Sequence, residues 1–314
     1  MELNKIYNED CLEGMKKIPS KTIDLIVSDL EQRILRQGLQ AHTTGNCAAD
    51  PVLKHINTME LNKIYNEDCL VGMKKIPDAS VDCIICDLPY GVLNKKSEGG
   101  GWDSIIPFEP LWKEYLRITK PNAAIILFCQ GMFTAQLMMS QPKLWKYNLI
   151  WSKKRVTGFL NANKMPLRSH EDIAVFYRKQ PVYHPQMVKC APHQRNHRRG
   201  DGTHSLKRGC YGDHKEVPTI ISDEKFPRSI ICFDKEHSSD TFHPTQKPVD
   251  LLCYLVSTYT NVGGCVLDNC MGSGTTAIAC IREKRNFIGF ELNKEYYDKA
   301  CKRIQLEMAQ PSLF

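Results

Sequence analysis

Long apolar runs are missing from this sequence of 314 residues. The stretch at 123–128 is typical of the longest ones, and a membrane-spanning helix needs roughly 20 apolar residues. The first residues, Met-Glu-Leu-Asn-Lys, also lack the apolar centre of a signal peptide. A phosphate-binding loop ending in Gly-Lys-Ser or Gly-Lys-Thr is absent as well, which disfavours ATP as a cofactor. We therefore expect a cytoplasmic protein without membrane segments.

Charge of one sign is not in large excess, because the net charge is +7. That modest positive charge fits an anionic partner such as nucleic acid. The 14 cysteines are scattered through apolar segments of a chain that is long enough to fold without disulfides. We predict reduced, mostly buried thiols. Cys83 and Cys86 should point to opposite faces of one strand, so neither metal binding nor redox chemistry is predicted there.

A partial repeat occupies the start of the chain. Residues 1–12 recur as 59–70, and the match continues until Asp29-Leu30, which mirrors Asp87-Leu88. Two copies are too few for a solenoid. We predict that 1–58 is a truncated, dispensable duplicate of 59–88 and that the working unit is 59–314. The alternative is a functional N-terminal arm or dimerisation element, and a chain that starts at Met59 would discriminate between the two.

Short apolar segments alternate with helical patterns along the working unit. The predicted strands are 81–88, 123–128, 147–151, 173–177, 265–268 and 286–291. The predicted helices are 68–76, 133–140, 249–259, 275–284 and 294–308. This alternation is typical of an α/β fold with a mostly parallel, doubly wound sheet. Ligands of such sheets bind at the carboxyl ends of the strands.

A cofactor site is indicated by the strand that ends at Asp268. Gly272, Ser273, Gly274 and Thr275 follow it as a glycine turn and a helix start, where backbone N–H groups are exposed. The next strand ends in Glu291, roughly 20 residues after the glycines, as expected for a carboxylate that binds ribose hydroxyls. We see no site for hydride transfer. The pattern therefore favours an adenosine-containing cofactor without a phosphate tail.

The tetrad Asp87-Leu88-Pro89-Tyr90 resembles the Asp-Pro-Pro-Tyr motif of the amino-group DNA methyltransferases. Further segments follow in that family's order: 66–70, His170-Glu171, 243–248, the glycine loop and Glu291. Because the tetrad precedes the glycine loop, the chain resembles the permuted β subgroup. The resemblance covers nearly all of 59–306. It implies a Rossmann-like methyltransferase fold with circularly permuted motif order, S-adenosylmethionine as cofactor, double-stranded DNA as substrate and a homodimer as a candidate assembly.

The resemblance also assigns roles to single residues. The Asp87 carboxylate and the Leu88 carbonyl would accept hydrogen bonds from the target amino group, Pro89 would fix the backbone, and Tyr90 would stack on the flipped base. Asp68 would bind the cofactor adenine, with Lys247 near its methionine part. The predicted cofactor-binding set is Asp68, Lys247, Asp268, Gly272, Ser273, Gly274, Thr275 and Glu291. His170-Glu171 is either functional or merely structural.

Residues 178–242 are predicted to be an inserted target-recognition region, because the regular pattern fades there and basic residues gather. Phosphate contact is the expected role of such a segment, although a solvated loop is the alternative. The predicted DNA-binding residues are Lys189, Arg195, Arg198, Arg199, Lys207 and Arg208. The same region holds a set that could ligate zinc, but its spacing matches no standard finger and no metal is predicted. That set is Cys190, His193, His197, Cys210 and His214.

Together these features predict a site-specific DNA adenine N6-methyltransferase of a bacterial or phage modification system. Cytosine N4 is the alternative target, although its enzymes more often have Ser as the first tetrad residue. An inactive DNA-binding relative is the second alternative, because the N-terminus is duplicated and because Asn269 and Cys270 stand where the family usually has Pro and Phe. Leu88 replaces the usual first proline, which should be tolerated because only its carbonyl is needed. Whether a restriction endonuclease accompanies the protein stays open.

Overall fold

The computed structural model describes residues 59–91, 103–189, 223–234, 242–243 and 245–309. The predicted duplicate at 1–58 lies outside these ranges. The strands are β1 (Lys63–Tyr65), β2 (Val81–Asp87), β3 (Thr119–Cys129), β4 (Trp145–Thr157), β5 (Arg168–Phe176), β6 (Val188–Lys189), β7 (Glu224–Lys225), β8 (Ile230–Cys232), β9 (Cys265–Asp268) and β10 (Asn286–Phe290). The helices are α1 (Cys69–Met73), α2 (Phe108–Ile118), α3 (Met132–Ser140), α4 (Val249–Tyr259), α5 (Thr275–Arg282) and α6 (Lys294–Ala309).

Eight of these strands form one sheet in the order β1-β10-β9-β2-β3-β5-β4-β8. Neighbours from β1 to β3 run parallel, β5 runs antiparallel to both β3 and β4, and β8 is parallel to β4. The predicted mostly parallel sheet is therefore confirmed. Because parallel strands share their carboxyl edge, the ends of β1, β10, β9 and β2 lie along one side of the sheet.

Both faces of the sheet are covered by helices. Helices α4, α5 and α6 pack with Cys83 and Ile85 of β2 on one face, while α1, α2 and α3 pack with Ile84 and Cys86 on the other. A strand buried on both faces needs apolar residues at nearly every position, which explains the continuous apolar run of β2. Cys83 and Cys86 point to opposite faces, as predicted.

Two local differences from the predicted elements stand out. Helix α2 was not predicted, yet Leu111, Trp112, Tyr115 and Ile118 bury its apolar side. The range 178–242 is also more regular than predicted, because β6 and β7 form a small antiparallel sheet and β8 joins the main sheet. Strand β8 connects part of that range to the main sheet through hydrogen bonds to β4.

The thiols of the described residues agree with the prediction of reduced, mostly buried cysteines. The described cysteines are free, and six of them are buried. In the part of the chain that the structure describes, no helix is long and apolar enough to cross a membrane.

Candidate active site

A cavity of about 640 Å³ lies at the carboxyl ends of the parallel strands and is lined by residues of both the tetrad and the glycine loop. Asp87 at the end of β2, Asp268 at the end of β9 and Glu291 just after β10 all line it. Tyr90 and Asp68 line the same cavity. The two motifs, far apart in the chain, therefore meet in one place, because β2 and β9 are adjacent strands of the sheet.

Asp268, the last residue of β9, fixes the turn that follows the strand through hydrogen bonds of its carboxylate. Asp268 is buried, and its Oδ1 accepts a hydrogen bond from the Cys270 amide at 3.0 Å while its Oδ2 accepts one from Thr276 Oγ1 at 2.6 Å. Burial raises the pKa of Asp268 to about 6 in spite of these two bonds. Gly274, with φ of 77°, then begins helix α5.

Glu291 organises the neighbouring strand end. Its two carboxylate oxygens accept hydrogen bonds from the backbone amides of Gly272 and Asn293, each at 2.8 Å. Burial raises the pKa of Glu291. Asn66, which follows β1, donates from Nδ2 to the Glu291 carbonyl at 2.8 Å. Asp68 begins α1 by accepting a hydrogen bond from the Val71 amide at 3.1 Å.

Asn269, which departs from the usual sequence of the resembled family, has hydrogen-bond partners for its side-chain amide. Its Oδ1 accepts a hydrogen bond from the Tyr115 hydroxyl at 2.5 Å, and its Nδ2 contacts the sulfur atoms of Cys69 at 3.6 Å and Cys270 at 3.5 Å. A buried amide that uses both its acceptor and its donors costs little stability. Asn269 therefore ties the cavity wall to helix α2.

Four charged side chains form a buried cluster beside the tetrad. Lys247 bonds Asp87 through Oδ2 and lies 3.5 Å from Glu171 Oε2, and Glu171 in turn bonds Lys153. The two lysines and two carboxylates balance in charge. The Lys153 side chain is only 2% exposed and that of Lys247 is 9% exposed.

Lys247 remains charged because of its partners. Burial acts to lower the pKa of Lys247, but Asp87 and Glu171 outweigh it and the net shift is upward. Its ammonium also lies 5.0 Å from the Phe128 ring centre, and that of Lys153 lies 4.8 Å from the Trp151 ring. These rings supply the cation–π contacts that partly replace water.

The other oxygen of Asp87 is occupied by the tetrad itself. The Tyr90 hydroxyl donates to Asp87 Oδ1 at 2.6 Å. Its ring packs against Phe133 with centroids 5.0 Å apart. Burial, with the Asp87 and Glu171 charges, raises the pKa of Tyr90 well above its usual value, so the hydroxyl stays protonated. Both oxygens of Asp87 are thus engaged by side chains of this chain.

Most predicted site residues come together in this cavity. The lining includes Asp68, Asp87, Leu88, Pro89, Tyr90, Lys247, Asp268, Gly272, Ser273, Thr275 and Glu291. Gly274 begins α5 beside the lining. Lys189 lies elsewhere, exposed on β6. The other predicted DNA-binding residues and the five cysteines and histidines weighed for zinc lie outside the described residues. Among the described residues, no cluster of His, Cys, Asp and Glu suits a metal ion.

Sequence reasoning did not single out Lys153 and left Glu171 undecided. Lys153 stands next to Lys154 and Arg155, both exposed, so nothing in the local sequence distinguishes the buried member of the three. The His243 ring, which packs against Tyr296 with centroids 4.3 Å apart, also lines the cavity. Burial and the Lys247 charge lower the pKa of His243 to about 4, so its ring is uncharged at neutral pH.

Comparison with known proteins gives a consistent picture. The family model described as "DNA methylase" matches residues 81–302. The chain is 28% identical over 262 residues to Type II methyltransferase M.BglII of Bacillus subtilis, a match covering 76% of this chain and 68% of that protein. It is 27% identical over 263 residues to DNA adenine methyltransferase YhdJ of Escherichia coli K12, covering 79% of this chain and 84% of that protein.

Solved structures agree with the fold. The crystal structure of the M1.HpyAVI-SAM complex is 25% identical, with a TM-score of 0.50 over 77% of this chain and 98% of that one. The cytosine-N4-specific PvuII DNA methyltransferase has a TM-score of 0.57 over 82% of this chain and 89% of that one, at 14% identity. This second likeness concerns the fold alone.

Proposed function

The chain belongs to the DNA methylase family, and we propose that it transfers a methyl group from S-adenosylmethionine to N6 of adenine in double-stranded DNA. The observation that carries the proposal is that Tyr90 and Glu291 line one cavity. A base-stacking ring and a ribose-binding carboxylate at the same site suit a reaction between a nucleobase and an adenosine cofactor.

The residues of the cavity fit S-adenosylmethionine by their chemistry. Asp68, Asp268 and Glu291 place three carboxyl groups along its wall, which suits ribose hydroxyls and a cationic sulfonium and disfavours a polyphosphate. We assign Glu291 to the ribose hydroxyls, Asp68 to the adenine, and the backbone from Gly272 to Thr275 to the rest of the cofactor. When bound, the cofactor supplies a methyl group activated by a positively charged sulfur.

Asp87, the Leu88 carbonyl and Tyr90 would act on the base. The amino nitrogen of adenine is a poor nucleophile because its lone pair is delocalised into the ring. Acceptors at Asp87 and Leu88 would favour a more tetrahedral, electron-rich nitrogen. The Tyr90 ring would hold the flipped base in place. Since Tyr90 hydrogen-bonds Asp87, the incoming amino group must displace its hydroxyl to reach Oδ1.

Support for adenine over cytosine comes from two sides. The tetrad begins with Asp87 rather than Ser, and the relative YhdJ is described as an adenine methyltransferase. The test is to express the chain in cells that lack DNA methylation, to identify the modified base by mass spectrometry and to map its sites by sequencing. N6-methyladenine at one recognition sequence is expected. Finding only N4-methylcytosine would overturn the adenine assignment.

An Asp87→Ala variant tests the catalytic assignment. It should lose methyl transfer while keeping most of its DNA affinity, because affinity is expected to come from phosphate contacts elsewhere. Thermal stabilisation by S-adenosylmethionine should persist, and its absence from the unsubstituted protein would favour an inactive DNA-binding relative. Unchanged turnover in Asp87→Ala would refute the role given to this residue.

The domain assignment is part of the same proposal. We infer that 59–314 is the methyltransferase domain, that 178–242 reads the target sequence and that 1–58 is dispensable. The family match covers residues 81–302 and so does not include 1–58. A chain that starts at Met59 should keep both turnover and cofactor binding, and loss of either would assign a role to 1–58.

A further inference from the structure

The loop that joins β4 to β5 exposes large apolar side chains to solvent. Every residue in 158–170 is exposed. We call residues 156–167 the apolar tip, whose exposed fractions are 49% at Val156, 76% at Phe159, 83% at Leu160, 55% at Met165 and 41% at Leu167. Several large apolar side chains gathered on one short loop mark an interaction surface rather than ordinary surface composition.

The charge around the apolar tip indicates what that surface contacts. Four exposed cations flank or interrupt it, and the sequence contains no Asp or Glu from 152 to 170. These cations are Lys154, Arg155, Lys164 and Arg168. Lys154 is partly balanced by Asp234, 2.6 Å away. An apolar centre with a positive rim is complementary to bases flanked by phosphates. A two-fold contact between copies would instead bring identical cations together.

Strands β4 and β5 form an antiparallel hairpin, and the residues where its loop begins and ends border the candidate active site. Thr157 and Arg168 pair across β4 and β5 and both line the cavity that contains Asp87. Phe159 and Leu160 follow Thr157 by two and three residues, so their backbone lies within about 10 Å of the cavity rim. The apolar tip therefore stands where the duplex must lie if its target base enters the cavity.

We propose that Phe159 and Leu160 are a wedge that enters the base stack of duplex DNA at the gap left by the flipped target base. The cations of the apolar tip hold the neighbouring phosphates. Apolar side chains inserted between base steps replace stacking that is lost when a base leaves the helix. This inference rests on the proposed function, since it concerns the same bound DNA.

A fluorescent reporter tests insertion without relying on activity. Phe159→Trp places an indole on the apolar tip, and its added emission should be quenched when a synthetic DNA duplex binds, because the ring stacks on bases. Val262→Trp is the matched control. Val262 is 69% exposed but precedes β9, at the opposite edge of the sheet. Binding of the duplex without quenching at position 159 would overturn the wedge.

A substrate comparison tests the purpose of insertion. The double variant Phe159→Ser with Leu160→Ser should methylate a matched duplex about tenfold or more slowly than the unsubstituted protein. It should recover most of that loss on a duplex whose target adenine is mismatched, because a mismatched base leaves the stack more easily. Val262→Ser should behave like the unsubstituted protein on both duplexes.

The other possible results of these experiments would overturn the wedge or the proposed function. Equal loss on matched and mismatched duplexes would overturn the wedge. A fall in sedimentation mass of the double variant, without any difference between the duplexes, would also overturn it and assign the apolar tip to self-association. If no variant and no unsubstituted protein methylates DNA, the proposed function fails, whereas quenching at position 159 would still support insertion.

Discussion

Tyr90 and Lys247 bond different oxygens of the Asp87 carboxylate, and these two contacts define the tetrad before substrate binds. Asp87 Oδ1 accepts from Tyr90 and Oδ2 from Lys247. A carboxylate that must accept hydrogen bonds from a substrate thus has a hydrogen-bond partner on each oxygen before the substrate binds. The two side chains should therefore differ in what their removal does.

The ring of Tyr90 should matter more than its hydroxyl. Tyr90→Phe removes the hydrogen bond that the substrate must displace but keeps the stacking face, so turnover should stay within about threefold. Tyr90→Ala should lower kcat/KM by about 10- to 100-fold, because base stacking contributes about 1–3 kcal/mol. Steady-state methylation of a duplex target measures both. An equal loss in the two variants would assign the role to the hydroxyl.

Lys247 should act as a positioning residue that holds the Asp87 carboxylate through its hydrogen bond to Oδ2. Lys247→Met removes this contact, so the kcat of methylation should fall by about 10- to 100-fold, since a hydrogen bond between charged groups contributes about 1.5–3 kcal/mol. Lys247→Arg keeps the charge and should recover most of that loss. An unchanged kcat in Lys247→Met would contradict the positioning role.

At the scale of elements, the short helix α1 approaches the sheet closely where Gly72 lies against the Phe290 ring of β10. A β-carbon at Gly72 would lie within 2.8 Å of three atoms of the Phe290 ring, which is fully buried in β10. Asp68 begins α1 and lines the cavity. The approach of this helix to the strand therefore also places a candidate cofactor ligand.

Gly72→Ala should accordingly destabilise the protein. The Phe290 ring cannot move freely in a packed core, so we expect the free energy of unfolding to fall by about 1–3 kcal/mol. Cofactor affinity should weaken in parallel as α1 shifts. Urea unfolding and calorimetry measure the two effects. Val71→Ala, on the exposed side of the same helix, is the control and should change stability by less than about 0.5 kcal/mol.

Asp82 and Lys120 show how predicted strands are joined by contacts that local sequence patterns do not reveal. Asp82 accepts hydrogen bonds from Lys120 at 2.7 Å and from the Cys265 amide at 2.9 Å, which joins β2, β3 and β9 at their amino ends. Helix α2, which was not predicted, follows Pro107 and contains Pro110 in its first turn. Proline is tolerated in the first turn of a helix, where backbone N–H groups have no partner within the helix.

At the scale of the whole molecule, the buried carboxyl of Asp268 links stability to pH. Its pKa rises from 3.8 to about 6 on folding, so the folded protein binds this proton more tightly than the unfolded chain. The stability it contributes is present below about pH 4 and is lost as the pH rises towards 6. A shift of about two units corresponds to about 3 kcal/mol.

Asp268→Asn should remove the pH-dependent contribution of Asp268 to the free energy of unfolding. The amide keeps an acceptor for the Cys270 N–H and can donate to Thr276, without a charge to bury. Between pH 4 and 7 the variant should gain about 2–3 kcal/mol of unfolding free energy relative to the unsubstituted protein. Urea titrations of both proteins without cofactor measure this difference. A difference that does not vary with pH would mean that Asp268 does not titrate in this range.

The sequence by itself determined the α/β class, six strands of the sheet and both motifs, because apolar periodicity and turn chemistry are local properties. It could not determine which strand ends become neighbours or which lysine is buried. Tertiary structure decided that Asp87 meets Lys247, 160 residues away, and that Lys153 and Glu171 complete the charge balance. Those pairings depend on strand order in the sheet, and burial then forces each charge to have a partner.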